Sequence, residues 1–437
     1  MKIGIIGLGY VGLTTGLGLT ELGHSIVGLE INQQRLKSLE RGEMPFYEEG
    51  LDEVLEESIG NTFEVTNDMV SVLEDTEAVL ICVQTPSADD GSVDLSVVYS
   101  VAQEIGKSLK TLENRPVVIV KSTVIPGTTE RVAELISEES GLVCGTDYYV
   151  AMVPEFLRQG TAYFDFKKPD RLVFGVRDEN DPAAKLLDQM YALLDCPKLY
   201  VDVETAEFSK YASNSFLALK ITFANELANI IDVFNLRKEG RRVATKEVVR
   251  LMGLDKRINP AFMVPGVGYG GSCFPKDVKA LAAFARSMDT PFDLLETTTR
   301  VNENQPHVLL RHLREVLGGN SLKGKRIGVV GLSFKPGTGD TRETPARPLI
   351  KQLLEEKAVV QAWDPLAEPV MMEEFPTISC HDELTELFNE KLDAALIVTD
   401  WSQIKRYFSE NQLPAYPIID GRGIVPGAVR TIGNSHI

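Results

Sequence analysis

Residues 2–6, Lys-Ile-Gly-Ile-Ile, form a short apolar run that stops at a glycine. Such a run, bounded by a turn signal, predicts a strand buried on both faces. The apolar positions from about Val11 to Leu22 then recur at helical spacing, and Ser25–Leu29 predicts a second strand ending at Glu30. Further strands are predicted at Ala78–Val83 and Pro116–Val120, with helix-compatible sequence between them. From about Thr205 to Leu236 the pattern becomes one long apolar helix with polar punctuation and no Gly or Pro. A helix of this kind can bridge domains, form a subunit interface or simply pack in a core. The alternation resumes near Gly324: a strand over Lys325–Val330, a loop over Gly331–Glu343 and a helix over Thr344–Glu356. Strands over Val359–Trp363 (ending in Asp364-Pro365), Ala394–Val398 and Ile418–Asp420 complete this second α/β unit.

The first strand runs straight into Gly7-Leu8-Gly9-Tyr10-Val11-Gly12, and an acid, Glu30, stands 18 residues after the third glycine. Gly-x-Gly-x-x-Gly between strand and helix, with an acid at that distance, is a dinucleotide-binding fingerprint. The glycines let a diphosphate approach the backbone and the helix N-terminus, and Glu30 can accept hydrogen bonds from a ribose. An acid there repels a 2′-phosphate and favours NAD over NADP, although Arg35 can serve either cofactor. The competing reading is a Gly-rich turn with no nucleotide. The loops closing the other strands, Gln84-Thr85-Pro86 and Lys121 to Gly127, are ordinary strand-to-helix turns taken singly, but in a doubly wound sheet they line the ligand crevice. The second unit lacks the full fingerprint and suits the phosphates of another nucleotide better than a second NAD.

Cys273 sits in Gly268-Tyr-Gly-Gly-Ser-Cys-Phe-Pro-Lys-Asp277. Glycines allow close approach to a ligand, and Pro275 fits the first turn of a helix. Helix amides and Lys276 would favour a thiolate at Cys273, and Asp277, four residues on, would share its face. A buried cysteine beside a turn is the bland alternative. The fingerprint at the N-terminus shifts the reading to a nucleophile beside a redox cofactor.

Composition narrows the class. At 437 residues the chain is long enough for two or three domains, and no run of about 18 apolar residues marks a membrane span. The N-terminus enters a strand without a signal-peptide pattern. A net charge of −18 argues against nucleic acid and anionic membranes as partners. Cysteines at 82, 144, 196, 273 and 380 are odd in number and widely spaced, with no Cys-x-x-Cys. That pattern predicts neither a disulfide framework nor a metal site, and it points to a reducing cytoplasm. The histidines, 24, 307, 312, 381 and 436, lie outside every Gly-rich motif.

Together the motifs resemble the UDP-glucose/GDP-mannose dehydrogenase family over nearly the whole chain. The matching stretches are Gly7–Leu13, Thr85-Pro86, Ser122–Thr129, Pro154-Glu155-Phe156-Leu157-Arg158, Glu207–Asn214, Gly268–Asp277, and Phe334-Lys335-Pro336 through Arg342-Glu343. The resemblance implies an α/β fold of two Rossmann-like doubly wound domains joined by a long central helix. Its divisions would be an NAD-binding domain over 1–204, a helical dimerisation domain carrying the cysteine over 205–302, and a nucleotide-sugar domain over 303–437. The implied reaction is a four-electron oxidation of a nucleotide sugar to its uronate, UDP-glucose to UDP-glucuronate, with reduction of two NAD. A thiol would hold the aldehyde between the two hydride losses.

By the same resemblance Cys273 is the nucleophile, Lys210 and Asn214 (one helical turn apart) stabilise the oxyanion, and Glu155 is the acid/base residue. Asp277 and Thr123 order the hydrolytic water. Implied cofactor contacts are Gly7, Gly9, Tyr10, Val11, Gly12, Glu30, Arg35, Thr85, Ser122, Thr123, Lys276 and Arg342. Implied substrate contacts are Glu155, Phe156, Leu157, Arg158, Gln159, Lys210, Asn214, Arg257, Val264, Gly266, Tyr269, Gly270 and Lys335. For Lys210, Arg257, Lys335 and Arg342 a solvated surface role is the default that the motif context displaces, least so for Arg257. The chain departs from the family pattern at Gln84, at Val153 before Pro-Glu-Phe-Leu, at Gln159 and at Val264. By the resemblance, Pro-Glu-Phe-Leu favours UDP-glucose or GDP-mannose over UDP-N-acetylmannosamine, and the Cys273 motif is closer to UDP-glucose enzymes; GDP-mannose and UDP-N-acetylhexosamines are the alternatives. A homodimer or larger homo-oligomer follows from the same family architecture, as does a role in supplying a glycan or polysaccharide. Two rivals stay open: a two-electron dehydrogenase of 3-hydroxy acids, and a non-catalytic nucleotide-sugar sensor.

Overall fold

The computed structural model describes residues 1–237, 243–319 and 321–433; His436 lies outside the described residues. Two compact units emerge, Met1–Ser213 and Asn214–Ile437.

The first unit is built on eight strands: β1 (Lys2–Ile6), β2 (Ser25–Leu29), β3 (Phe63–Thr66), β4 (Ala78–Ile81), β5 (Val117–Val120), β6 (Val150–Met152), β7 (Leu172–Gly175) and β8 (Lys198–Val201). Their order is β3-β2-β1-β4-β5-β6-β7-β8, parallel except for the β6–β7 pair. The period of two along each strand feeds two separate cores. Ile3, Ile5, Ala78, Leu80, Val117 and Ile119 face one of them. Ile6, Val79, Ile81, Val118 and Val120 face the other. This explains why the central strands read as unbroken apolar runs. Because β1, β4, β5 and β6 are parallel, the fingerprint turn, Thr85, Lys121–Thr123 and Glu155 all leave the sheet at its carboxyl edge. The order reverses between β1 and β4, which is where such sheets open a ligand crevice.

The helix Val203–Arg237 leads from the first unit into the second. The second unit continues with the helices Thr245–Gly253, Phe274–Ser287 and Asp293–Val316. It then builds a second sheet from β9 (Arg326–Val330), β10 (Val359–Trp363), β11 (Ser379–Cys380), β12 (Ala394–Ile397), β13 (Ile418–Asp420) and β14 (Arg430–Thr431). The order β11-β10-β9-β12-β13-β14 is fully parallel and repeats the topology of the first unit's opening strands. Again two cores form: Ile327, Val329, Leu396 and Val398 lie on one side, and Val330, Ala395 and Ile397 on the other. The expected α/β class with two doubly wound sheets and a long helix is the observed one.

Candidate active site

In the first unit the three glycines have three distinct tasks. Gly7 takes φ +95°, and a Cβ at Gly12 would stand 2.0 Å from the Gly7 carbonyl oxygen, so the helix Tyr10–Glu21 packs directly onto the turn. A Cβ at Gly9 would meet no protein atom within 4 Å. Gly9 is also the residue before that helix, which has no side-chain cap and no acid in its first turn. The N-terminus of this helix therefore lies beside an uncrowded glycine, uncapped by any side chain, with the positive end of the helix dipole at that point. This is a cradle for a diphosphate, and it fits NAD. Glu30 is buried and accepts from the Asn32 amide (2.8 Å) and from Arg35 Nη1 (3.1 Å). Arg35 is thus paired with the acid that the fingerprint assigns to a ribose, a pairing that suits NAD rather than a 2′-phosphate. Thr85 Oγ1 donates to the Thr123 carbonyl (3.0 Å) and Ser122 Oγ to the Val83 carbonyl (2.7 Å), so the loops after β4 and β5 are locked together.

Glu155 follows β6 and is buried with Lys210 from the long helix, Nζ to Oε1 2.9 Å. The Leu157 amide donates to its other oxygen at 2.6 Å. Burial pushes the Glu155 carboxyl up. The Lys210 charge and hydrogen bond, the Leu157 amide and the Lys121 charge outweigh it and hold the group below its ordinary value. Glu155 is therefore held as a carboxylate, ion-paired with Lys210. Phe156 carries Arg171 over its ring at 4.1 Å and the Lys210 ammonium at 5.4 Å. Arg158 is exposed and turned into a paired contact with Asp165, while Gln159 is half-buried. One turn before Lys210, Glu207 accepts from the Gly127 and Thr129 amides (2.7 and 2.8 Å), anchoring the helix to the loop after β5.

Lys121 was not singled out by the sequence reading. It is buried, its ammonium reaches the Val153 carbonyl at 3.5 Å, and burial pulls its pKa down against the nearby Cys82 and Glu155. Its signal was a lysine at the end of an otherwise apolar strand.

In the second unit Cys273 is the residue that opens the helix Phe274–Ser287, and it is exposed. Its carbonyl accepts the Asp277 amide at 2.8 Å, so helical geometry begins at the cysteine, with Pro275 in the first turn. Asp277 is buried and accepts from Asn214 Nδ2 (2.6 Å) and Lys276 Nζ (2.7 Å). Asn214 thus holds the aspartate through the amide that the resemblance assigns to an oxyanion. Arg342 is held above its ordinary value, first by Asp340, with the Cys273 sulfur adding a smaller part. The Arg342 carbonyl accepts the Gly271 amide at 2.9 Å.

The loop Val264–Gly270 is fixed from beneath. The Gly266 amide donates to Asn225 (2.7 Å), Gln305 donates to the Gly266 carbonyl (2.8 Å), and Asn302 bonds both the amide and the carbonyl of Tyr269 (2.8 and 2.9 Å). A Cβ at Gly270 would stand 2.2 Å from the Glu343 carbonyl, and one at Gly271 would stand 2.7 Å from the Phe334 ring, beside which lies Lys335. Val264 and Arg257 are exposed; Arg257 pairs with Asp255 at 2.6 Å and is not drawn into this cluster. Arg422 was missed: its guanidinium lies 3.1 Å from where a Gly266 side chain would begin, its Nε donates to the Val398 carbonyl (2.6 Å), and burial lowers its pKa. A Gly-Arg-Gly after β13 is a faint signal for a cation set beneath the 264–270 loop.

Among the described residues no group of three or more His, Cys, Asp or Glu could hold a metal ion, and no helix is long and apolar enough to cross a membrane.

Three family models cover the chain: the UDP-glucose/GDP-mannose dehydrogenase NAD binding domain over 1–195, the central domain over 204–304 and the UDP binding domain over 328–427. The chain is 40% identical over 432 residues to a protein of Haloferax volcanii named UDP-glucose 6-dehydrogenase AglM, covering 97% of each. It matches the solved UDP-glucose dehydrogenase of Pyrobaculum islandicum at 37% identity with TM-score 0.89, over 97% of this chain and 94% of that one. It also matches the UDP-D-ManNAc dehydrogenase of Pyrococcus horikoshii at 29% identity with TM-score 0.85, over 100% of both. The chain belongs to the UDP-glucose/GDP-mannose dehydrogenase family and is an NAD-dependent oxidoreductase acting on a CH–OH group.

Proposed function

We propose that the chain oxidises UDP-glucose to UDP-glucuronate through a Cys273 hemithioacetal and thioester. The observation that carries this reading is an exposed cysteine opening a helix beside a buried Asp277 that is held by Asn214 and Lys276. Bound NAD supplies the hydride acceptor, one for each two-electron step. The chain's own residues do the rest. Lys210 offsets the negative oxygen of the alkoxide and then of the hemithioacetal. The Cys273 thiolate adds to the aldehyde carbon, so the intermediate stays bound while it is oxidised to the thioester. Glu155, kept ionised by Lys210, takes the proton of the attacking water, with Asp277 and Thr123 ordering it. Hydrolysis releases the carboxylate and returns the thiol.

The division into 1–204, 205–302 and 303–437 is kept as the functional reading. A homodimer is supported by Phe216, Phe223 and Ile230, which recur at seven-residue spacing along the long helix and are all exposed. Free cysteines throughout support a cytoplasmic setting, and a uronate product fits supply to a glycan or polysaccharide.

The deciding measurement is NADH formed per UDP-glucose consumed, in the native chain and in Cys273→Ala. Two NADH per sugar in the native chain, failing in the variant, is the expected result. Turnover with GDP-mannose or a UDP-N-acetylhexosamine alone would move the substrate. One NADH per sugar regardless of Cys273 would overturn the mechanism.

A further inference from the structure

Glu48 has no exposed surface, and its carboxylate is shared by three donors from two distant segments of the first unit. Oε1 accepts the Ala162 amide at 2.6 Å, and Oε2 accepts the Gly160 amide at 2.7 Å. The Tyr10 hydroxyl donates to the same Oε2, and the Gly160 amide also lies 3.2 Å from that hydroxyl. Ala162 opens a short helix whose preceding residue, Thr161, provides no side-chain cap, so the cap comes from Glu48, more than a hundred residues earlier. The Glu48 segment is itself held tightly. Phe46 packs on the Tyr10 ring with centroids 4.9 Å apart, and a Cβ at Gly50 would stand 2.9 Å from the Tyr163 ring.

The two ends of this bridge matter. Tyr10 is the first residue of the helix behind the dinucleotide turn. Gly160 closes the segment Glu155–Gln159. Capping a helix needs only the two amides; the tyrosine hydroxyl is an additional partner, and it comes from the cofactor side. We propose that Glu48 is a positioning residue that couples the two ligands: occupancy of the dinucleotide turn and binding of the sugar nucleotide at 155–160 change each other's affinity through Tyr10, Glu48 and Gly160. The inference rests on the reading of 155–160 as a sugar-nucleotide segment. Its physical basis is shared ordering. A diphosphate on the amides of Gly9 to Val11 fixes Tyr10, and Tyr10 fixes the carboxylate that holds the Gly160 amide, so the second ligand meets a segment already in place.

Calorimetric binding of UDP-glucose, with and without saturating NADH, tests this with a pair that cannot turn over. The native chain is expected to show an affinity change of about five-fold or more between the two conditions. In Tyr10→Phe, which leaves both amide bonds of Glu48 intact, the ratio should fall to within about two-fold of unity. Glu48→Gln, which sets an amide against two N–H donors, should behave the same way; if it fails to fold, Tyr10→Phe decides alone. Equal coupling in the native chain and Tyr10→Phe, or no coupling in the native chain, would overturn the inference. A native chain that binds NADH but no UDP-glucose would instead remove the reading on which it rests.

Discussion

After β1 and after β9 the backbone makes the same move. Gly7 donates to the Leu29 carbonyl at 3.0 Å with φ +95°, and Gly331 donates to the Trp363 carbonyl at 2.7 Å with φ +95°. The next residue along each neighbouring strand is an acid, Glu30 in one unit and Asp364 in the other. There the likeness stops. Glu30 turns to Asn32 and Arg35 and leaves the glycine turn open. Asp364 reaches back to the turn itself: its Oδ2 accepts from the Leu332 amide (2.8 Å), the Ser333 amide (3.0 Å), Ser333 Oγ (3.0 Å) and Trp401 Nε1 (3.0 Å). One carboxylate faces away from its turn, and the other is bonded into it. A repeated topology therefore does not imply a repeated ligand; one side chain's direction decides.

The largest way to break this comparison is Asp364→Ala. It strands several buried donors at once and should destabilise the second unit by about 3 kcal/mol or more, each unsatisfied group contributing 1–3. Urea unfolding followed by tryptophan emission reads that unit alone, because the chain's two tryptophans are Trp363 and Trp401. NADH affinity should not move. Gly12→Val makes the opposite cut. Its side chain would collide with the Gly7 carbonyl, and NADH affinity should drop at least about 100-fold in a fluorescence titration. Gly9→Ala is milder: with open space around the added carbon, folding should be spared, while the diphosphate loses its close approach and NADH binding weakens roughly ten-fold.

The smallest effect is on pH. His312 in the second unit is pushed down to about 4, mainly by burial, with Arg311 and Arg430 adding positive charge. A histidine depressed in the fold stays neutral there while the unfolded chain takes up a proton, so its contribution is present above about 6.5 and is lost as pH falls toward 4. Tryptophan emission should show the second unit loosening across that window, and His312→Leu should shift the transition to lower pH.

Periodicity made the central strands legible because both their faces are buried. Lys2–Ile6, Ser25–Leu29, Val359–Trp363 and Ile418–Asp420 stand where the apolar runs place them, and the long helix extends only slightly past its expected ends. The short edge strands β3, β8, β11 and β14 escaped the reading, since half-exposed segments of two to four residues carry no continuous apolar signal, and the interior strands β6 and β7 escaped it too, their apolar runs of three and four residues being too short to stand out. At the site, motif residues were legible because their chemistry is local: glycine turn, cysteine, helix start. Glu48, Asp364, Lys121 and Arg422 were not marked. Each owes its place to partners distant in sequence, and an isolated Glu, Asp, Lys or Arg otherwise reads as surface.

Four of the five thiols are buried or half-buried, and burial raises each of them: Cys82 and Cys380 to about 12, Cys144 and Cys196 by less. Those four remain protonated and slow toward electrophiles at neutral pH. Cys273 alone is exposed, so the chain comes with a built-in single-label position. Mild alkylation should add one mass increment per chain, and the fraction modified would count chains whose Cys273 stands open to reagent in any preparation.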